Sequence, residues 1–159
     1  MQVLYPAAYG IKNAYKQFAT TQAFTDYVVF PLEGVWSLTA KGQQLAYLDK
    51  NESSYDIMIR IPDFVPDDLI RPALQAVKAK KSLPAIDQLE IKRIPAMDCA
   101  QILHVGRYDD EPASFDKIDA LVASAGRKRL SKVHREIYLS DARRVAPDNL
   151  KTILRYQID

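Results

Sequence analysis

The sequence predicts an α+β fold: one domain over residues 1–159, built as two pseudo-repeated modules at about 1–88 and 89–159. Three observations carry this. From Cys99 onward the hydrophobic pattern runs strand, helix, strand, strand. From Leu4 it runs helix, strand, strand and then a connecting helix, so one strand supplied before residue 1 would make the halves alike in element order, though not in sequence. Finally, two distant segments, Pro31 to Trp36 and His134 to Asp141, each set a glutamate and an aromatic ring into a strand-like run. An unpaired buried carboxylate costs on the order of several kcal/mol, so strand glutamates face water or a cavity, and the aromatic company points to a pocket.

Each element has its own signal. Leu4, Ala8, Ile11, Tyr15 and Phe18 recur at steps of four, three, four and three, which is one face of a helix that starts almost at Met1 with no N-cap before it. After the polar Thr20-Thr21-Gln22, Phe24 to Val35 is rich in aromatic and β-branched residues and reads as a strand, with Pro31 marking a bulge or an edge. Lys41-Gly42-Gln43 reads as a turn and Asp49 to Ser54 as a polar loop. Tyr55 to Ile61 alternates as a strand and stops at Pro62. Pro66-Asp67-Asp68 opens a helix that buries Leu69, Ile70, Ala73, Leu74 and Val77. Its last turn carries Lys78, Lys80 and Lys81, so acid at the start and base at the end complement the macrodipole, and Leu83-Pro84 ends it.

Leu89 to Ile94 reads as a short strand, and Cys99 to Tyr108 as another beyond the Pro95 break. Asp109-Asp110-Glu111-Pro112 opens a helix whose buried face is Phe115, Ile118, Leu121, Val122 and Ala125, with Gly126 as its C-terminal stop. Val133 to Leu139 is a strand, Ser140 to Pro147 a loop, and Lys151 to Ile158 the last strand.

Composition narrows the function. A chain of 159 residues, 48% hydrophobic, buries a real core without disulfides or metal. Its net charge of +2 is the difference between 22 basic and 20 acidic residues, so no strong field draws it to nucleic acid or membrane. Cys99 is the only cysteine, which excludes an internal disulfide and any multi-cysteine metal site. With no signal peptide and no membrane-length apolar run, the expected setting is the cytoplasm.

The period of a strand puts His134, Glu136 and Tyr138 on one face and Val133, Arg135, Ile137 and Leu139 on the other. Glu136, with the Tyr138 hydroxyl beside it, is placed to attract a cation or to act as an acid or base; the alternative is a solvent-facing pair. Glu33 is a candidate second acidic wall, or else a solvated strand end. Trp36 is a stacking surface for a planar or cationic ligand, or else core. Tyr108, after Gly106 at a strand end, reaches the pocket or packs beside a turn. His104 and His134 lie on different strands with no acid at ligand spacing, so neither a metal site nor haem is expected, and no cofactor is. Cys99 reads as an inert core residue. Arg127-Lys128-Arg129 with Lys132, His134 and Arg135 reads as a solvated turn without a helix-turn-helix pattern, so direct nucleic-acid binding is not expected. No closely spaced glycines form a phosphate cradle.

Tyr27 to Trp36 resembles the "YVVxPLEGLWW" segment of GyrI-like small-molecule-binding proteins. The resemblance continues through Met58 to Val65, His104 to Ala113, Glu136 to Asp141 and Ala146 to Arg155, nearly the whole chain. It implies tandem strand-helix-strand-strand modules whose antiparallel sheets surround a central ligand cleft, a fold also used as the effector-sensing half of transcription activators that bind lipophilic cations. Stand-alone members include hydrolases of cyclopropane-bearing DNA-alkylating natural products.

There are two departures. Trp36-Ser37 stands where many relatives have paired tryptophans, which opens one wall of the cleft. Met1 to Pro6 aligns with the middle of the first helix, so the strand expected before it does not stand in the sequence: either translation starts further upstream, or the sheet edge is exposed and its unpaired groups would template a homodimer or aggregation. The resemblance implies a binder of a hydrophobic, planar or cationic small molecule, for sensing, sequestration or detoxification, with Glu33, Trp36, Tyr108, Glu136 and Tyr138 as ligand contacts. The alternatives are a hydrolase in which Glu136 and Tyr138 are catalytic, and a protein-interaction module such as a gyrase inhibitor.

Overall fold

The helical stripes and alternating runs take their places in a computed structural model that describes residues 2–18, 25–44, 52–80, 83 and 85–159. The order is α1 (Leu4–Phe18), β1 (Leu32–Leu38), α2 (Ala40–Gln44), β2 (Ser53–Ile59), α3 (Asp67–Lys80), β3 (Cys99–Val105), α4 (Glu111–Ser124), β4 (His134–Tyr138) and β5 (Lys151–Gln157). The polar stretch Thr20 to Gln22, Phe24, the loop from Asp49 to Asn51, Lys81 and Pro84 lie outside the described residues.

Two compact units divide the chain differently from the two modules of element order: Met1–Pro31 with Met58–Arg93, and Leu32–Ile57 with Ile94–Asp159. The first is a helix pair. α1 and α3 bury Ile11, Tyr15, Ile70 and Ala73 together with Val65. Tyr15, Tyr27 and Phe64 close this core as a triangle of rings with centroids 5.7 to 6.2 Å apart.

The second unit holds an open antiparallel sheet of five strands in the order β2-β1-β4-β5-β3. The strands of the two sequence halves meet in this one sheet, because β1 pairs with β4. α4 covers one face, where Ile118, Val122, Leu154 and Tyr156 form the core and Leu154 has no exposed surface. His104 pins the helix to β3. Its Nε2 donates to the Arg107 carbonyl, which can only accept, and its Nδ1 is hydrogen-bonded to the Ser114 hydroxyl, each at 2.9 Å. At the far end of α4, Gly126 takes the left-handed conformation (φ 69°), and Arg127 N–H closes on the Val122 carbonyl at 3.0 Å.

Some sequence expectations are displaced. Residues 25–31 form no strand: Pro31 has no N–H to give to a ladder, and the Tyr27 N–H is taken by the Asp26 carboxylate at 2.8 Å. The expected turn at Lys41-Gly42-Gln43 is the short helix α2, capped by the Thr39 hydroxyl, which accepts from Gly42 N–H at 3.0 Å. Leu89 to Ile94 is irregular, with Ile91 and Ile94 exposed, so its alternation meets no partner surface. Cys99 is half-buried at a sheet edge, not in the core.

Candidate functional site

The register sorts the sheet's side chains into rows. Gly34, Glu136, Leu154 and Ile102 align across β1, β4, β5 and β3. Directly paired residues share a face, and Leu154 lies under α4, so this row is on the helix-covered face. Trp36 with His134, and Tyr138 with Thr152 and His104, form the rows on either side. The intervening rows, Glu33-Ile137-Ile153-Leu103 and Val35-Arg135-Arg155-Gln101, belong to the opposite face.

On the helix-covered face Glu136 is only 7% exposed and both of its oxygens are engaged. The Tyr138 hydroxyl donates to Oε2 at 2.8 Å, and Nε2 of His134 meets Oε1 at 3.1 Å. Trp36 Nε1 donates to the Tyr138 oxygen at 3.0 Å. An indole nitrogen can only donate, so the Tyr138 oxygen accepts there and its own proton points to Glu136. The chain of bonds has one direction. Burial drives the Tyr138 phenol well above its usual pKa, and the neighbouring Glu136 charge and hydrogen bond add to this, so Tyr138 stays a neutral donor.

Rings and a second acid surround this chain. Tyr108 meets Tyr138 edge-on at 6.1 Å, Trp36 and Tyr55 lie 4.9 Å apart at a tilt, and Phe115 of α4 sets its ring 5.0 Å from His134. Tyr108 too is pushed up, by burial first and then by Glu111, Glu136 and Asp141. Glu111, the first residue of α4, is buried, and its charge reaches both tyrosines.

Of the five expected ligand contacts, the structure gathers Trp36, Tyr108, Glu136 and Tyr138. Glu33 is corrected: it lies on the opposite face of the sheet, 5% exposed and paired with Arg135 at 3.3 Å. Alternation along β1 puts Gly34, not Glu33, beside Glu136. His134 is also corrected, since an acid does stand within reach, two residues along its own strand. Among the described residues no third His, Cys, Asp or Glu joins them in a cluster fit for a metal.

Gly34, Tyr55 and Glu111 went unrecognised as site residues in the sequence. A glycine inside a strand signals a close approach, and Gly34 was open to that reading. Glu111 reads simply as part of a helix start.

The expected basic cluster disperses into separate contacts. Arg127 bridges Asp98 and Asp159, Arg129 lies 4.3 Å over the Tyr156 ring, and Arg135 holds Glu33. No helix among the described residues is long and apolar enough to cross a membrane.

Solved structures share this architecture. An uncharacterized conserved protein from Listeria innocua is 28% identical with a TM-score of 0.82, over 99% of this chain and 78% of that one. A hydrolase from the same organism is 27% identical at a TM-score of 0.81, over 99% and 77%. A further Listeria innocua hydrolase structure is 28% identical at 0.79, over 99% and 77%. No curated protein matches the chain. The family model of the GyrI-like small molecule binding domain matches residues 2–158, and the chain belongs to that family.

Proposed function

We propose that the chain binds a hydrophobic, planar or cationic small molecule against β1 and β4, on the face that carries Glu136. The observation that carries this reading is a buried carboxylate held by Tyr138 and His134 and bordered by aromatic rings, with no lysine or arginine among its hydrogen-bond partners in the described residues. Such a carboxylate keeps its attraction for a cation, while Trp36, Tyr55 and Tyr108 offer faces and edges for a flat ligand. The test is a titration of Trp36 fluorescence with a planar lipophilic cation and with its neutral isostere. Saturable quenching by the cation, lost in Glu136→Gln, is expected; equal response to both compounds in both proteins would sink the reading.

A second reading is favoured by the likeness to two hydrolase structures at 27% and 28% identity. Here Glu136 takes a proton from a water whose oxygen bonds to a cyclopropane carbon. The strained carbon–carbon bond breaks, its electron pair passes into a conjugated acceptor, and that acceptor receives the proton Glu136 removed, so the product is substrate plus water. Tyr138 keeps Glu136 oriented. Incubation with an activated cyclopropane distinguishes the two: turnover abolished by Glu136→Gln supports hydrolysis, and recovery of unchanged, stoichiometrically bound compound leaves binding alone.

A further inference from the structure

Trp36 and Tyr138 are not neighbours in the sheet. Trp36 stands opposite His134, and Tyr138 lies four residues further along β4, about 13 Å at the rise of a strand. Between them runs the row of Gly34 and Glu136. The two large side chains meet by folding toward each other over position 34. A Cβ built on Gly34 would sit 2.9 Å from Trp36 Nε1 and 2.9 Å from the Tyr138 oxygen, and its nearest atoms all belong to these two side chains. Both contacts are closer than a carbon can hold. Gly34 has no left-handed φ to explain its presence, so the space above it is the reason for the missing side chain.

We infer that Gly34 and Trp36 are positioning residues: the bare backbone at Gly34 lets the Trp36 indole reach Tyr138 and commit the tyrosine proton to Glu136. The inference rests on the reading of Glu136 as the ligand-binding carboxylate and deepens it. Without the indole donor the Tyr138 hydroxyl is free to rotate. Among the described residues Glu136 then keeps only His134 as a fixed partner, and a ligand must pay to reorder it. Trp36 thus serves through its N–H as well as its ring.

Trp36 is the chain's only tryptophan, so one indole N–H signal in a proton–nitrogen NMR spectrum reports the bond directly, with or without ligand. In the folded protein that signal is expected downfield and protected from exchange. Tyr138→Phe should move it upfield, and Gly34→Ala should do the same while preserving the backbone amide pattern. Trp36→Phe keeps a ring but no N–H, and together with Gly34→Ala it should weaken a planar cationic dye about tenfold, the scale of one buried hydrogen bond. An indole signal unmoved by both Tyr138→Phe and Gly34→Ala overturns the inference, as does a Trp36→Phe protein that binds the dye as tightly as the parent. If the parent binds no dye, the binding reading falls, and the indole shifts alone decide whether Gly34 and Trp36 hold Tyr138.

Discussion

Glu33 and Glu136 are nearly equally buried, at 5% and 7% exposure, and occupy adjacent register rows across β1 and β4. Their partners differ. Glu33 is matched by the guanidinium of Arg135 at 3.3 Å, a permanent cation. Glu136 is held by a phenol and an imidazole, both of which can donate a hydrogen bond while remaining neutral. A carboxylate cancelled by arginine has become part of the structure; one held by a phenol and an imidazole, neither of them a permanent cation, is dehydrated yet still able to act on a ligand. Burial alone does not identify a site, and the charge of the partner separates the two cases.

Arg135→Met should strike hardest at stability. It leaves Glu33 buried without its cation, at a cost of about 2–4 kcal/mol in urea unfolding, below the full range for a buried pair because Arg135 is 21% exposed. Adding Glu33→Gln should recover much of that loss; no recovery would mean that the pair is not what Arg135 serves. Glu136→Gln should do the reverse, lowering cationic dye affinity by about tenfold or more while changing stability by no more than ~1 kcal/mol. Dye affinity that instead follows Glu33→Gln would overturn the contrast between the glutamates.

A smaller effect appears at high pH. Tyr138 titrates above its usual value, so the unfolded chain loses this proton first and the folded protein binds more protons. The stabilisation is complete below the ordinary tyrosine pKa of about 10 and declines as pH rises beyond it. Tyr156, buried and bonded to Asp119, is pushed up to about 12 and adds to the same trend. In an ultraviolet titration Tyr138→Phe should remove the step at highest pH and leave the main tyrosine wave in place. The smallest effect concerns Asp141, which Arg143 holds down at about 2. Asp141→Asn should remove a slight stabilisation that is present above the ordinary aspartate range and lost as pH falls toward that value, read as a small change in acid unfolding.

Much of this was legible locally. The stripe from Leu4 to Phe18 gave α1 its span, and Asp109 to Pro112 marked the start of α4 near Glu111. Strand period alone put His134, Glu136 and Tyr138 on one face, and the structure joins all three by hydrogen bonds. Where local signals failed, a competing local interaction had won: the Thr39 cap at α2, and the Asp26 hydrogen bond with Pro31 before β1.

What the sequence by itself determined is therefore whatever depends on neighbours along the chain: the elements, the faces within a strand, the family and the Glu136-Tyr138 pair. Tertiary structure alone decided which face of β1 meets Glu136. That choice rests on backbone pairing between β1 and β4, and a shift of one residue would exchange Gly34 for Glu33. The pairing turned one expected wall of the site into an ion pair on the far face, and made an unregarded glycine the floor beneath the Trp36–Tyr138 bond.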